Sequence, residues 1–324
     1  MSIWQRASDG GNWRLALPVL LLALAVWSPR VLWQRPVFTW QVSFDITQSM
    51  NVQDVELHGA PISRLELARA AMRNVLAELP CGSKVGWSIF TDYRSLILLA
   101  PIEVCSHYEE LLASLERIDG RMRWANASNI GRGATWAVRG ARSLGPHTSF
   151  VFITDGQEAP PLRFNAKPAR PLYDLPGAEQ ASSQRSLSET LAMGDITPGE
   201  VKGWLIGVGG DVPVPIPRIG SDGQPAGYWK AEDVVQGSAI GGTQNHEHLS
   251  ELRQDYMKLL AKALDVNYLR LDTPDALKTA MLDRRYAQSQ LADVDLRWIP
   301  ALLALLLLAW RFLPDLGLRR GRRL

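Results

Sequence analysis

Apolar positions fall into three patterns along this chain. Two runs are long and almost unbroken, residues 15–27 and 298–313. Several are short, rich in β-branched and aromatic residues, and close on an acid or a glycine: 37–44, 149–154, 201–207 and 268–271. Elsewhere apolar residues recur at helical spacing, as at Leu65, Ala68, Met72, Val75, Leu76 and Leu79. Ser63 and Glu66 form a capping box before that helix, and Pro80 ends it. Residues 84–91 and 95–102 predict a hairpin turning near Tyr93. Helices are expected over 108–118, from the 126–131 segment to about 144, over 249–264 and over 275–284. The order is strand, helix, hairpin, helix, helix, strand. It predicts a three-layer α/β sandwich, its sheet mostly parallel with one antiparallel edge strand. Segments 159–198 and 211–245 are rich in proline and small polar residues and read as insertions.

The two long runs set the outer organisation. Trp13, Trp27 and Trp33 bracket the first, and Trp298 and Trp310 the second, in the manner of membrane-interface belts. Two transmembrane helices are therefore expected. The division is 1–35 for a stub and first helix, 36–290 for the sandwich, and 291–324 for the second helix and a basic tail. Arg311, Arg319, Arg320, Arg322 and Arg323 place that tail in the cytoplasm. The sandwich then lies outside the inner membrane, in a periplasm if the cell is Gram-negative. No small-x-small cleavage site follows the first run, which favours an uncleaved anchor over a signal peptide. The net charge of +2 over 324 residues leaves no footprint for nucleic acid.

Two cysteines, Cys81 and Cys105, lie at equal sequence distance from Tyr93. An antiparallel pairing centred there sets them opposite each other, within reach of a disulfide. That pairing fits an oxidising compartment; two buried thiols are the alternative.

The chemistry gathers at strand ends. Asp45, Thr47 and Ser49 follow the first strand at alternate positions. One carboxylate and two hydroxyls are hard oxygen ligands, suited to Mg²⁺, Ca²⁺ or Mn²⁺. Ser128 precedes a helix, and Asp155 ends a second buried strand. Ligands of open α/β sheets gather at such carboxyl edges. Asp45 and Asp155 as simple turn caps is the bland alternative. Glu158 is either close to the metal without ligating it or merely exposed. His246 and His248, two apart before a helix, would not share a helical face and read as a solvated loop. Trp124 and Trp136 read as core or rim packing.

Taken together, Asp45, Thr47, Ser49, Ser128 and Asp155 resemble the metal-ion-dependent adhesion site of the von Willebrand factor A (VWA) domain. The motif is Asp-x-Ser-x-Ser, a distant Thr, then Asp-Gly. Thr47 and Ser128 depart from it and keep the hydroxyl. The resemblance implies a divalent cation, most simply Mg²⁺, that binds partner proteins. Segments DITQSMNV (45–52), LPCGSKVG (79–86), FTDYRS (90–95), IDGRMRW (118–124), TDGQEAPP (154–161) and LIGVGG (205–210) further resemble the MxaL family. That resemblance implies an accessory factor in maturation of a periplasmic quinoprotein methanol dehydrogenase. The dehydrogenase or its accessory proteins would be the partners. The alternative is a structural or regulatory subunit of an aerotolerance-type envelope complex working with an AAA+ ATPase. No nucleophile or general base is legible, so an enzyme is not expected.

Overall fold

The computed structural model describes residues 13–27, 31–159, 196–220, 222–234, 246–294 and 296–312. The chain divides into two compact units, Pro36–Ser289 and the joined ends Met1–Arg35 and Gln290–Leu324. Most of the expected 159–198 insertion lies outside the described residues.

The larger unit is built on a six-stranded sheet. Its strands are β1 (Thr39–Asp45), β2 (Lys84–Thr91), β3 (Arg94–Glu103), β4 (Ser149–Thr154), β5 (Gly203–Gly207) and β6 (Asn267–Arg270). Their spatial order is β6-β5-β4-β1-β2-β3. All neighbours are parallel except β2 and β3. This is the mostly parallel α/β sandwich, with one antiparallel edge strand, that the sequence predicts for a VWA-type domain.

Among the described residues five helices cover the two faces: α1 (Arg64–Glu78), α2 (Tyr108–Glu116), α3 (Ile130–Ser143), α4 (Gln254–Leu264) and α5 (Pro274–Met281). Strand alternation sorts the core. Val151 and Ile153 of β4 join Trp40, Val42 and Phe44 of β1 under α1, α2 and α5. Phe150 and Phe152 point the other way, into a second core with α3 and α4. Apolar residues at helical spacing on α1 are all buried, and its capping box forms in full. Gly133 lets α3 lie against Phe90, since a Cβ there would meet the ring at 2.2 Å.

One helix start differs from expectation. Residues 249–264 are not one helix. Leu249–Ser250 pairs with Val214–Pro215, and the helix begins only at Gln254. Arg253 N–H donates instead to the Asp155 carbonyl at 2.9 Å, which holds the chain extended beside β4. The proline-rich segment after β5 is also ordered, with Pro217–Ile219 pairing antiparallel with Pro225–Tyr228. The hairpin turns between Asp92 and Tyr93, because Thr91 pairs with Arg94. Two register shifts along β2 and β3 then bring Lys84 opposite Glu103. Cys81 and Cys105 beyond them form the expected disulfide, with Cα atoms 5.3 Å apart.

In the smaller unit, both apolar runs are helical, Trp13–Trp27 and Trp298–Phe312, and they pack on each other. Ala304 is enclosed, while Leu20, Leu24, Val26, Leu302, Leu305 and Leu306 face outward. Each helix has 15 residues. At 1.5 Å per residue that is about 22 Å, short of the roughly 30 Å of a bilayer's hydrocarbon core. Among the described residues no helix is long and apolar enough to cross a membrane. What the described residues show in place of the expected transmembrane spans is two apolar helices of this length.

Candidate functional site

The sheet's strand order reverses between β1 and β4. From β1 the chain proceeds to β2 on one side, and β4, β5 and β6 stack on the other. A crevice opens at the carboxyl ends of strands where this happens. Asp45 ends β1 and Asp155 follows β4, so both carboxylates stand at that point, and both are fully buried.

Each carboxylate is held by short local bonds. Asp45 Oδ1 accepts from the Thr47 N–H at 2.8 Å, and Oδ2 from Thr154 Oγ1 at 2.6 Å. A single 3-10 turn, Gln48–Asn51, follows and carries Ser49, whose hydroxyl lies 3.2 Å from that of Thr47. Asp155 Oδ1 accepts from the Gln157 N–H at 2.9 Å. Gly156, at φ 79°, makes the turn between them, in a region costly for other residues.

Ser128 arrives on a third segment. Its N–H and carbonyl both pair with Ala159, at 2.7 and 2.8 Å. The residues beside it, Ala127 and Asn129, pair with Asp92 at the β2–β3 turn. Asn126 Oδ1 accepts from Gln48 Nε2 at 3.2 Å, which ties this loop to the Thr47–Ser49 turn. The Ser128 hydroxyl is buried and has no hydrogen-bond partner among the described residues. Asp45, Thr47, Ser49 and Asp155 are thus joined in one network, and Ser128 stands on the adjoining loop.

Arg64 is the residue that sequence reasoning missed. Its guanidinium is fully enclosed and lies at the centre of a carboxylate cluster. Nη1 donates to Asp155 Oδ2 at 2.6 Å and to Ser250 Oγ at 2.6 Å. Nε and Nη2 form a fork on Asp54, at 2.9 and 2.6 Å. Gly209, at φ 134°, gives the guanidinium its room, because a Cβ there would lie 2.8 Å from Nε. The signal was present: Arg64, Ala68 and Met72 are four residues apart, so a charge sits on the apolar stripe of α1. Nothing in the sequence singles out Asp54, Thr154 or Ser250.

The charges do not balance. Asp54 and Asp155 pair with the guanidinium of Arg64, while Asp45 stands against Asp155 with no cation paired to it among the described residues, a formal excess of two negative charges when all three are ionised. Burial, and then the charge of Asp155, push the Asp45 carboxyl up to about 7. Asp54 is held below its usual value; burial opposes this, and the Arg64 fork outweighs it. A divalent cation would offset the excess. The donor set of carboxylates and hydroxyls fits a hard cation, and the unpartnered Ser128 hydroxyl is one lone pair such an ion could use. Among the described residues no three His, Cys, Asp or Glu side chains cluster as metal ligands, so a cation here would depend on the hydroxyls.

Glu158 is buried, not exposed. Its Oε1 accepts from Tyr256 Oη at 2.7 Å and from the Gly131 N–H at 3.2 Å, at the start of α3. Oε2 has no partner. Burial pushes this carboxyl up to about 7. His246 and His248 lie in a turn before Leu249, as the loop reading expects. Trp124 and Trp136 are rim residues, 46% and 36% exposed.

No protein-family model matches the sequence, and no curated protein matches it. Among solved structures, the chain is similar to an aerotolerance-related membrane protein from Bacteroides fragilis, at 20% identity and a TM-score of 0.49. That likeness covers 75% of this chain and 96% of the other. BatB from Bacteroides thetaiotaomicron gives 20% identity and 0.48, over 77% and 96%. A von Willebrand factor type A protein from Catenulispora acidiphila gives 12% and 0.37, over 82% and 42%. The MxaL resemblance finds no support among these comparisons.

Proposed function

We propose that this chain is a VWA-type docking protein that engages another protein through a divalent cation. Asp45, Thr47, Ser49 and Ser128 would hold the ion, with Asp155 beside it. The ion, most simply Mg²⁺, would supply an open coordination position for a carboxylate of the partner. The observation that carries this reading is the buried pair Asp45 and Asp155 at the sheet's switch point, with more negative charge than Arg64 offsets. Such a pair is costly unless neutralised. The protein's own groups hold the carboxylates in place through Thr47, Thr154 and Gln157, so a ligand meets a preformed site. No nucleophile and base stand together in this network, so binding, not catalysis, is the proposed activity.

The proposed setting is the cell envelope. The outward apolar faces of the two terminal helices favour association with the inner membrane, and the disulfide favours a periplasmic position for the sandwich. Two kinds of complex fit. One is of the aerotolerance type, for which one of the similar structures is named. The other is maturation of a quinoprotein methanol dehydrogenase, which rests on the MxaL-like segments alone.

The test is a pull-down from membranes with wild type and Asp45→Ala, in Mg²⁺ and in EDTA. Partners retained only by wild type with metal support the proposal. The same partners retained by both proteins in EDTA would overturn it.

A further inference from the structure

Beside the network stands a guanidinium with no anion. Arg123 follows the 3-10 turn Gly120–Met122 and is half-buried. Nε donates to Asn126 Oδ1 at 3.0 Å, Nη1 to the Gly120 carbonyl at 3.2 Å, and Nη2 to the Ile219 carbonyl at 3.3 Å. All three acceptors are neutral. Arginine carries five N–H donors, so two remain. Burial moves this guanidinium below its ordinary pKa, and among the described residues no carboxylate pairs with it. The nearby Asp119 is already engaged by Arg121, at 2.7 and 2.9 Å.

The position is tied to the candidate metal loop. Asn126 Oδ1 accepts from both Arg123 Nε and Gln48 Nε2. Gln48 lies between Thr47 and Ser49. Its side-chain amide pairs with the backbone of Ile219, donating to the carbonyl at 3.3 Å and accepting from the N–H at 2.8 Å. The Pro217–Tyr228 hairpin is thereby fixed to the rim of the site. Met122 and Trp124, which flank Arg123 in sequence, and Tyr228 on the hairpin are exposed. Methionine, aromatic residues and arginine are the types enriched at protein interfaces.

We infer that Arg123, on the rim formed by the Met122–Trp124 segment and the Pro217–Tyr228 hairpin, receives a second carboxylate from the docked protein. The inference rests on the proposed docking function and specifies its partner. That partner presents two acidic side chains close together, one toward the candidate cation and one toward Arg123. A partner with a single acid engages only half of the surface. The fork of Arg123 suits a carboxylate, and its fixed hydrogen bonds preorganise it.

The test uses the full-length chain in detergent micelles with fluorescein-labelled synthetic peptides. One peptide carries two aspartates three residues apart, and the other carries the first aspartate alone. Anisotropy titrations in Mg²⁺ should show the two-aspartate peptide binding about ten-fold tighter, the scale of one added charge-assisted hydrogen bond. Arg123→Gln should abolish that advantage. Arg123→Lys should keep part of it. Equal binding of the two peptides to wild type would overturn the inference. So would an advantage that survives in Arg123→Gln. If metal-dependent binding persists in either case, only the role of Arg123 fails. If neither peptide responds to EDTA or to Asp45→Ala, the docking function fails and the inference fails with it.

Discussion

Arg64 donates to Asp155 from a position where neither side chain touches solvent, at 2.6 Å. The same guanidinium forks onto Asp54. A helix residue therefore serves as the internal counter-ion of the candidate site, reaching the ends of strands from the first turn of α1.

Removing that counter-ion should be severe. Arg64→Met leaves Asp155 and Asp54 without their cation and takes one of two partners from the Ser250 hydroxyl. Breaking a buried ion pair from one side costs about 3–5 kcal/mol. Urea denaturation of the variant should show a fall in that range. A loss below about 1 kcal/mol, the value of an exposed pair, would mean that the cluster is far better hydrated than its burial shows.

Asp45→Asn separates repulsion from metal binding. The amide keeps an oxygen for the Thr47 N–H and removes the charge facing Asp155. In EDTA at pH 8 the variant should melt above wild type. In Mg²⁺ the order should reverse, because wild type alone gains about 2.7 kcal/mol at a hundred times the dissociation constant. An equal Mg²⁺-induced shift in both proteins would remove Asp45 from the ligand set.

Glu158 makes stability depend on pH in a definite direction. Its carboxyl is raised from 4.5 to about 7 in the folded chain, so folding favours the protonated form. The contribution is fully present below about 4.5 and is lost as pH rises through about 7. At roughly 1.4 kcal/mol per unit, the loss is on the order of 3 kcal/mol. Glu158→Gln should flatten the stability profile between pH 4.5 and 7, measured by denaturant midpoint. An unchanged slope would place the titration elsewhere.

The disulfide closes a sequence separation of 24 residues around β2 and β3. Loop entropy for that length predicts a stabilisation of about 3.5 kcal/mol. Cys81→Ser with Cys105→Ser should lose most of it, and reductant should then have no further effect on the midpoint. A reductant effect that persists in the double variant would have another cause.

The sequence made the sheet legible because its strands are short buried runs bounded by acids and glycines. β4, Ser149–Thr154, was readable to within a residue. Helix α1 was legible through its spacing and its cap. Residues 249–253 were not, since Leu249 and Leu252 match helical spacing equally well. What decides there is long-range: the bond of Arg253 N–H to Asp155 and the pairing of Ser250 with Val214. The candidate site divides in the same way. Asp45, Thr47, Ser49 and Asp155 announce themselves by spacing at strand ends. Arg64, Asp54 and Ser250 join them only through tertiary packing, and Glu158 proved enclosed because Tyr256 of α4 covers it.

Ser250 also has a consequence for how the protein is made. Its hydroxyl lies between Arg64 Nη1 and Asp155 Oδ2, at 2.6 and 3.2 Å, across 186 and 95 residues of chain. Synthesis delivers Asp45 early and Ser250 late. An emerging chain therefore holds its acidic loop long before the last polar group that steadies the cluster. The finished arrangement exists only after the segment carrying Ser250 has followed the rest of the cluster out of the ribosome, so the docking proposed for this site would also report that folding has reached that segment.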